Sequence, residues 1–220
     1  MNCECQFAPF NGTFAGRSPH VAFTVWGLLR YFFGAIPFAV LLGKLFVKQD
    51  LRNVGDGNPG GTNVWKVGGW KLGLVAILLE IFKGYLPVAL ARHFGVSDWF
   101  LIPVCLSPIV GHATMPFLMF RGGKALGTTG GVWIGILGLW AFSIYAATAL
   151  LLAILTEHAW AAVLGVSLFL GWAIFVDGSP WMIVFGILNV ALIAWTHRRE
   201  LVWPPHPRRW ITQLFPHIVR

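Results

Sequence analysis

The sequence predicts an all-α integral membrane protein. It should have seven transmembrane helices, some of them short, with the amino terminus outside and the carboxyl terminus in the cytoplasm. Three observations lead to this. First, 57% of the 220 residues are hydrophobic and only 11% are charged, less than half of the roughly 25% usual in soluble domains. Eight acidic and sixteen basic residues cannot cover a soluble body of this size, and a disordered chain or coiled coil needs more charge still. Second, the apolar residues come in runs near the roughly 20 residues that a bilayer crossing takes. Third, the basic residues gather between those runs, where they report which side each connection faces.

Residues 1–19 are polar and rich in small residues, without the apolar stretch of a signal peptide. Asn11-Gly12-Thr13 matches a glycosylation sequon on three residues only. The first apolar run is Val21 to Gly43, the second Trp70 to Ala91 and the third Trp99 to Phe120. Gly127 to Leu155 follows, 29 residues without a charge, then Ala159 to Val176 and Trp181 to Trp195. The 29-residue run is either one tilted span or two short ones. Five bases lie between Lys44 and Lys71, two at Arg121 and Lys124, and five more from Arg198 to Arg220. The positive-inside rule puts all three groups in the cytoplasm. Six spans would separate the tail from the first group. Seven spans, with a break near Leu139 to Phe142, keep all three together, and the fourth helix is then too short to cross alone. A single membrane domain, residues 20–201, lies between a polar extension, 1–19, and a basic tail, 202–220. Three cysteines, two of them in Cys3-Glu4-Cys5, make neither a disulfide framework nor a zinc set. The net charge of +8 fits basic loops facing anionic lipid headgroups rather than nucleic acid.

Two connections carry more than topology. Gly55-Asp56-Gly57-Asn58-Pro59-Gly60-Gly61-Thr62-Asn63 has four glycines in nine residues. Glycine allows positive φ and close backbone approach, and successive amides in such a loop form an anion-binding concavity. Asn58, Thr62 and Asn63 add donors, and Arg52 and Lys66 add charge. A flexible connector is the plainer alternative. In the second connection, Arg121, Gly122, Gly123 and Lys124 precede Thr128 at the start of a helix, whose amino end favours anions. The spacing is not that of a nucleotide-binding P-loop.

Further polar residues lie inside the apolar runs. His112 falls in the third, where a histidine usually faces the bundle interior. His197 ends the last run beside Arg198, Arg199 and Glu200. Glu80 and Lys83, at i,i+3, can pair on one helix face, as a structural brace or as part of a site wall. His93-Phe94-Gly95-Val96-Ser97-Asp98 matches an H-x4-D acyltransferase pattern, but on the opposite side from the glycine loops, and is read as a chance match.

In this order the segments resemble one family, the integral-membrane acyl-phosphate:glycerol-3-phosphate acyltransferases of bacteria, the PlsY family. The resemblance covers residues 20–201 and includes Gly34-Ala35-Ile36-Pro37-Phe38, Asp50 to Asn58, Gly61-Thr62-Asn63 and Leu79-Glu80-Ile81-Phe82-Lys83-Gly84. It continues through Gly111-His112, Pro116-Phe117-Leu118, Phe120 to Lys124 and His197-Arg198. It implies seven helices in the bacterial inner membrane with the active site facing the cytoplasm. The implied reaction moves an acyl chain from acyl phosphate to the 1-hydroxyl of glycerol 3-phosphate, giving lysophosphatidic acid for phospholipid synthesis, without cofactor or metal. It also implies catalytic roles for His112, His197 and Lys124. Substrate phosphate would be met by Gly55, Asp56, Gly57, Asn58, Thr62, Asn63, Lys66, Lys83, Arg121, Gly122, Gly123, Thr128 and Glu200. Either histidine, or a substrate phosphate, could take the hydroxyl proton.

Four changes, at six positions, depart from the family pattern. Asp56 stands where the family has serine, and Glu200 where it has asparagine. Lys66 replaces an arginine, which loses bidentate phosphate binding. Ala125-Leu126-Gly127 replaces Gly-Val-Ala. A carboxylate beside phosphate is tolerable only if Arg52, Lys66 or Lys124 neutralises it. Two other readings therefore stand beside the first: a diverged enzyme with another acyl acceptor, and a catalytically silent lipid-binding membrane protein.

Overall fold

The computed structural model describes residues 19–156, 158–201 and 213. The sequon at Asn11, Cys3 and Cys5, and the bases from Arg208 to Arg220 lie outside these residues, as does nearly all of the extension and the tail.

The first apolar run was expected to be continuous and is not. It divides into α1 (Pro19–Ala35) and α2 (Phe38–Leu42), and the chain bends by 41° between Trp26–Ala35 and Phe38–Val47. Pro37 causes the break, because proline lacks an N–H and disfavours helix in the residue before it. At the break the Ile36 carbonyl accepts from the Phe38 N–H at 3.0 Å and from Lys83 Nζ at 3.0 Å.

Helix α3 (Gly61–His93) is 33 residues long, but it is not one rod. Gly69 has φ 77° and ψ 175°, a conformation that favours glycine. The arms on either side fold against each other. A Cβ on Gly61 would lie 2.7 Å from the Ile77 side chain, and one on Gly73 would lie 2.5 Å from that of Trp65. Gly61 facing Ile77 and Trp65 facing Gly73 is antiparallel pairing about Gly69. The arm 61–68 therefore returns beside the arm 70–93, which matches the second apolar run. This fold-back carries the glycine-rich loop from the end of the long arm toward Ile77 and Glu80.

Helix α4 (Leu101–Thr114) stops at Met115, where φ is 41°. The 29-residue run separates into α5 (Leu126–Leu137) and α6 (Leu139–Leu155). The break is at Gly138, with φ 91°, one residue ahead of the expected interval, because only glycine accepts that turn cheaply. Arg92, at the end of α3, donates through Nη1 to the carbonyls of Gly135 (2.9 Å) and Ile136. It thus serves carbonyls that the end of α5 leaves unpaired. Helices α7 (His158–Val176) and α8 (Pro180–His197) complete the bundle.

Among the described residues four helical segments are long and apolar enough to cross a membrane, and the bent α1–α2 pair makes a fifth. Helices α5 and α6, of 12 and 17 residues, are shorter. Small residues let the helices approach closely, as is common in membranes. A Cβ on Gly131 would stand 1.9 Å from the Ile81 carbonyl oxygen, and one on Gly84 2.0 Å from that of Thr128, so α3 and α5 meet backbone to backbone. Gly111 packs in the same way against the Tyr31 carbonyl, joining α4 to α1. The main core centres on Trp133, whose ring centroid is 5.0 Å from those of both Phe169 and Phe185. Its Nε1 donates to Asn189 Oδ1 at 3.2 Å, which satisfies both polar groups inside the bundle.

Candidate active site

Three chain segments meet where the α3 hairpin, the end of α4 and the end of α8 converge. The first is the loop 54–63. Gly55 and Gly57 have φ 59° and 70°, so the positive-φ conformation expected of these glycines is used. The loop closes around Asn63, which is fully buried. Asn63 Nδ2 lies within donor range of the Val54 carbonyl (3.0 Å), the Asp56 carboxylate (2.8 Å) and the Asn58 carbonyl (2.9 Å). Its Oδ1 accepts from Lys66 Nζ at 3.0 Å. Asn63 therefore shapes the loop from within.

The second segment is Arg121 to Lys124. The Gly123 N–H donates to the His112 carbonyl at 3.0 Å. A Cβ on Gly122 would lie 2.1 Å from the Ala113 carbonyl oxygen, and one on Gly123 would lie 2.2 Å from His112 Nε2. Only glycine fits at either position, because the loop lies directly on the end of α4. The Lys124 amide donates to Asn58 Oδ1 at 3.2 Å, tying the two loops together.

The third segment is the end of α8. Thr196 Oγ1 donates to its own helix at the Ile193 carbonyl (2.8 Å) and lies 3.3 Å from the Lys124 carbonyl. The Ile193 carbonyl accepts from His197 Nδ1 at 2.8 Å, a tautomer that leaves the Nε2 lone pair open. The Lys124 ammonium lies between two carboxylates, 2.7 Å from Asp56 Oδ2 and 2.7 Å from Glu200 Oε2. Partial burial pushes the Asp56 carboxyl upward. Hydrogen bonds from Lys124 and Asn63 and the Lys124 charge outweigh this and hold it at about 2. Burial lowers the Lys124 ammonium, but its two carboxylate partners raise it above its ordinary value.

Asp56, Asn58, Asn63, Lys66, Gly122, Gly123, Lys124 and Glu200 are thus joined in one hydrogen-bonded and packed group that reaches the end of α8. Thr62 and Arg121 are exposed. The Arg121 side chain has no polar partner among the described residues. Thr128 is buried in the first turn of α5, its hydroxyl without a hydrogen bond among the described residues.

Lys83 belongs elsewhere. It is fully buried, with Nζ 2.6 Å from Glu80 Oε2 and bonded to the Ile36 carbonyl. In this arrangement its ammonium is engaged by Glu80 and by the α1–α2 break, as a brace would be. Arg52 is likewise engaged, by Asp50, with Nε 3.0 Å from Oδ1 and Nη2 2.5 Å from Oδ2. Of the three cations considered as partners for Asp56, the carboxylate has Lys124. His93 and Asp98 are exposed at the far end of α3, and there the Ser97 hydroxyl donates to Asp98. The sequence reading did not identify Thr196, since a threonine one residue before a terminal histidine carries no signal of its contact with Lys124.

A family model described as "Glycerol-3-phosphate acyltransferase" matches residues 24–202. The chain belongs to this glycerol-3-phosphate acyltransferase family. A relative of that name from Thermus thermophilus is 40% identical over 185 residues, covering 80% of this chain and 89% of its own length. Another, from Dechloromonas aromatica, is 35% identical over 182 residues, covering 78% and 88%. The fold is similar to a crystal structure of PlsY, an integral membrane glycerol 3-phosphate acyltransferase, in its glycerol 3-phosphate form. The TM-score is 0.71 at 30% identity, covering 88% of this chain and 99% of that one. The lysophosphatidic acid form of PlsY gives a TM-score of 0.70 at 28% identity. As a member of this family the chain is an acyltransferase and a multi-pass membrane protein.

Proposed function

We propose that the chain transfers an acyl group from acyl phosphate to the 1-hydroxyl of glycerol 3-phosphate, producing lysophosphatidic acid in the bacterial inner membrane. The observation that carries this reading is the meeting of two glycine-built loops at Lys124, beside the end of α8. Acyl phosphate is an activated mixed anhydride, so holding and orienting two phosphate-bearing substrates supplies most of the catalysis. The glycerol hydroxyl oxygen attacks the acyl carbonyl carbon, and the bond from that carbon to the phosphate oxygen breaks. The hydroxyl proton passes to His197 Nε2, and inorganic phosphate leaves. Lys66, Arg121 and Lys124 hold phosphate, with amides around Gly55, Gly57, Gly122 and Gly123 as further donors. Asn58 and Thr62 add side-chain donors. No covalent acyl-enzyme forms.

Residues 20–201 are the catalytic membrane domain, between the extension 1–19 and the tail 202–220. Seven spans follow if the bent α1–α2 pair and α3 to α8 each count as one. The amino terminus is then outside, and the site and the tail are cytoplasmic. Accessibility labels placed after Arg220 and beside Asp98 should react on opposite sides of the membrane, and reaction on the same side would sink the seven-span arrangement. For the activity, purified protein in liposomes should convert acyl phosphate and glycerol 3-phosphate into lysophosphatidic acid and inorganic phosphate in equal amounts. Absence of that product would overturn the reading. A second reading, an enzyme for a different acyl acceptor, is favoured by the two carboxylates on Lys124. A higher kcat/KM for an uncharged polyol than for glycerol 3-phosphate would select it.

A further inference from the structure

We propose that Glu80 is a positioning residue for the loop Gly122 to Lys124, acting through the His112 ring. The inference rests on the acyl-transfer reading above.

Glu80, Lys83 and His112 are 4%, 0% and 3% exposed. One carboxylate oxygen, Glu80 Oε2, faces both partners, 2.6 Å from Lys83 Nζ and 2.8 Å from His112 Nδ1. Both contacts are at hydrogen-bond range but off-axis, as neither the Glu80 oxygens nor His112 Nδ1 make a well-aligned hydrogen bond. Buried charges are a poor way to gain stability, since apolar side chains of the same volume often do as well or better. A carboxylate in this place therefore points to a task other than packing.

The geometry supplies that task. On one side of the ring, Nδ1 faces Glu80 Oε2 at 2.8 Å. On the other, Nε2 abuts Gly123 so closely that a Cβ there would be 2.2 Å away. The His112 carbonyl also accepts the Gly123 N–H at 3.0 Å. A ring that swings away from Glu80 moves into the Gly123 backbone, and Lys124 is the next residue. Lys83 anchors the carboxylate in turn, because its ammonium is also bonded to the Ile36 carbonyl at the α1–α2 break. The cation that grips phosphate is thus set in place by a buried acid that touches no substrate.

The test is a double-mutant cycle on the full-length protein in liposomes. Glu80→Gln and His112→Gln should each raise KM for glycerol 3-phosphate by about tenfold, equal to about 1.4 kcal/mol of lost binding, with a smaller change in kcat. The double variant should be no worse than either single one, the sign of residues acting in series. Glu80→Gln/Lys83→Met removes both buried charges. It should restore the detergent melting temperature while KM stays high. Amide hydrogen exchange at Gly123 should speed up in Glu80→Gln, and this readout needs no activity. If the wild-type protein makes no lysophosphatidic acid, the proposed function fails while the exchange comparison still decides the role of Glu80. Unchanged exchange at Gly123, multiplying KM effects, or recovery of KM in Glu80→Gln/Lys83→Met would each overturn the proposal. The last would mean that Glu80 only neutralises Lys83.

Discussion

Lys124 Nζ and Asp56 Oδ2 are 2.7 Å apart although 68 residues separate them in the chain. With Glu200 on its other side, this ammonium meets substrate phosphate only in competition with two carboxylates of its own site. Asp56→Ser should therefore lower KM for glycerol 3-phosphate. The Asp56 side chain is 39% exposed, so the effect belongs with those of solvent-screened pairs, about 0.2–1 kcal/mol, or at most about fivefold at 1.4 kcal/mol per tenfold. A rise in KM instead would mean that Asp56 holds Lys124 where the phosphate needs it.

Lys124→Ala removes the cation shared by both loops. Transfer should fall by about 100-fold or more, the scale of losing one electrostatic contact in a catalytic site. Its side chain carries none of the apolar core, so the protein should stay folded, with a melting temperature lowered only by the loss of the Asp56 and Glu200 pairs, a solvent-screened effect. Wild-type activity in this variant would reduce the basic loop to a topology signal.

The Asp56 carboxyl, held at about 2 against an ordinary 3.8, gives stability a pH dependence of known sign. A depressed folded pKa contributes fully above the unfolded value and is lost as pH falls through the folded one. The melting-temperature difference between wild type and Asp56→Ser should thus be constant from about pH 5 to 8 and shrink as pH drops through about 4 toward 2. A change in that difference near pH 6 or 7 would point to a histidine.

Gly131→Val tests the approach of α3 to α5. With an ideal Cβ 1.9 Å from the Ile81 carbonyl oxygen, the helices must separate, at a cost of about 1–3 kcal/mol or more. The expected result is a lower melting temperature and a parallel loss of activity, since α5 also carries the end of the Lys124 loop. An unchanged melting temperature would show that the two helices are not in backbone contact.

Much of this was legible in the residues. The break in the long apolar run is expected near Leu139 to Phe142 and falls one residue ahead, at Gly138. The positive φ of Gly55 and Gly57 was legible too, because few other residues accept it. The fold-back at Gly69 was not, since Gly68-Gly69 before Trp70 reads as an ordinary helix start, and only the pairing of Gly61 with Ile77 reveals the hairpin. The Glu80–Lys83 pair was legible at i,i+3, but the Ile36 carbonyl that also accepts from Lys83 was not, since a backbone acceptor leaves no mark in a sequence. Arg52 could have been set aside from the start, because Asp50 lies two residues before it.

The 12 residues of α5 rise only about 18 Å at 1.5 Å per residue, against a hydrocarbon layer of about 30 Å. One end of this helix carries the Lys124 loop, and the other ends on Arg92, at the end of α3. Eight of the 12 α5 residues are buried in the bundle, so its neighbours rather than lipid cover most of it. A helix too short to cross, walled in by longer ones, hangs Lys124 from protein and not from the membrane face.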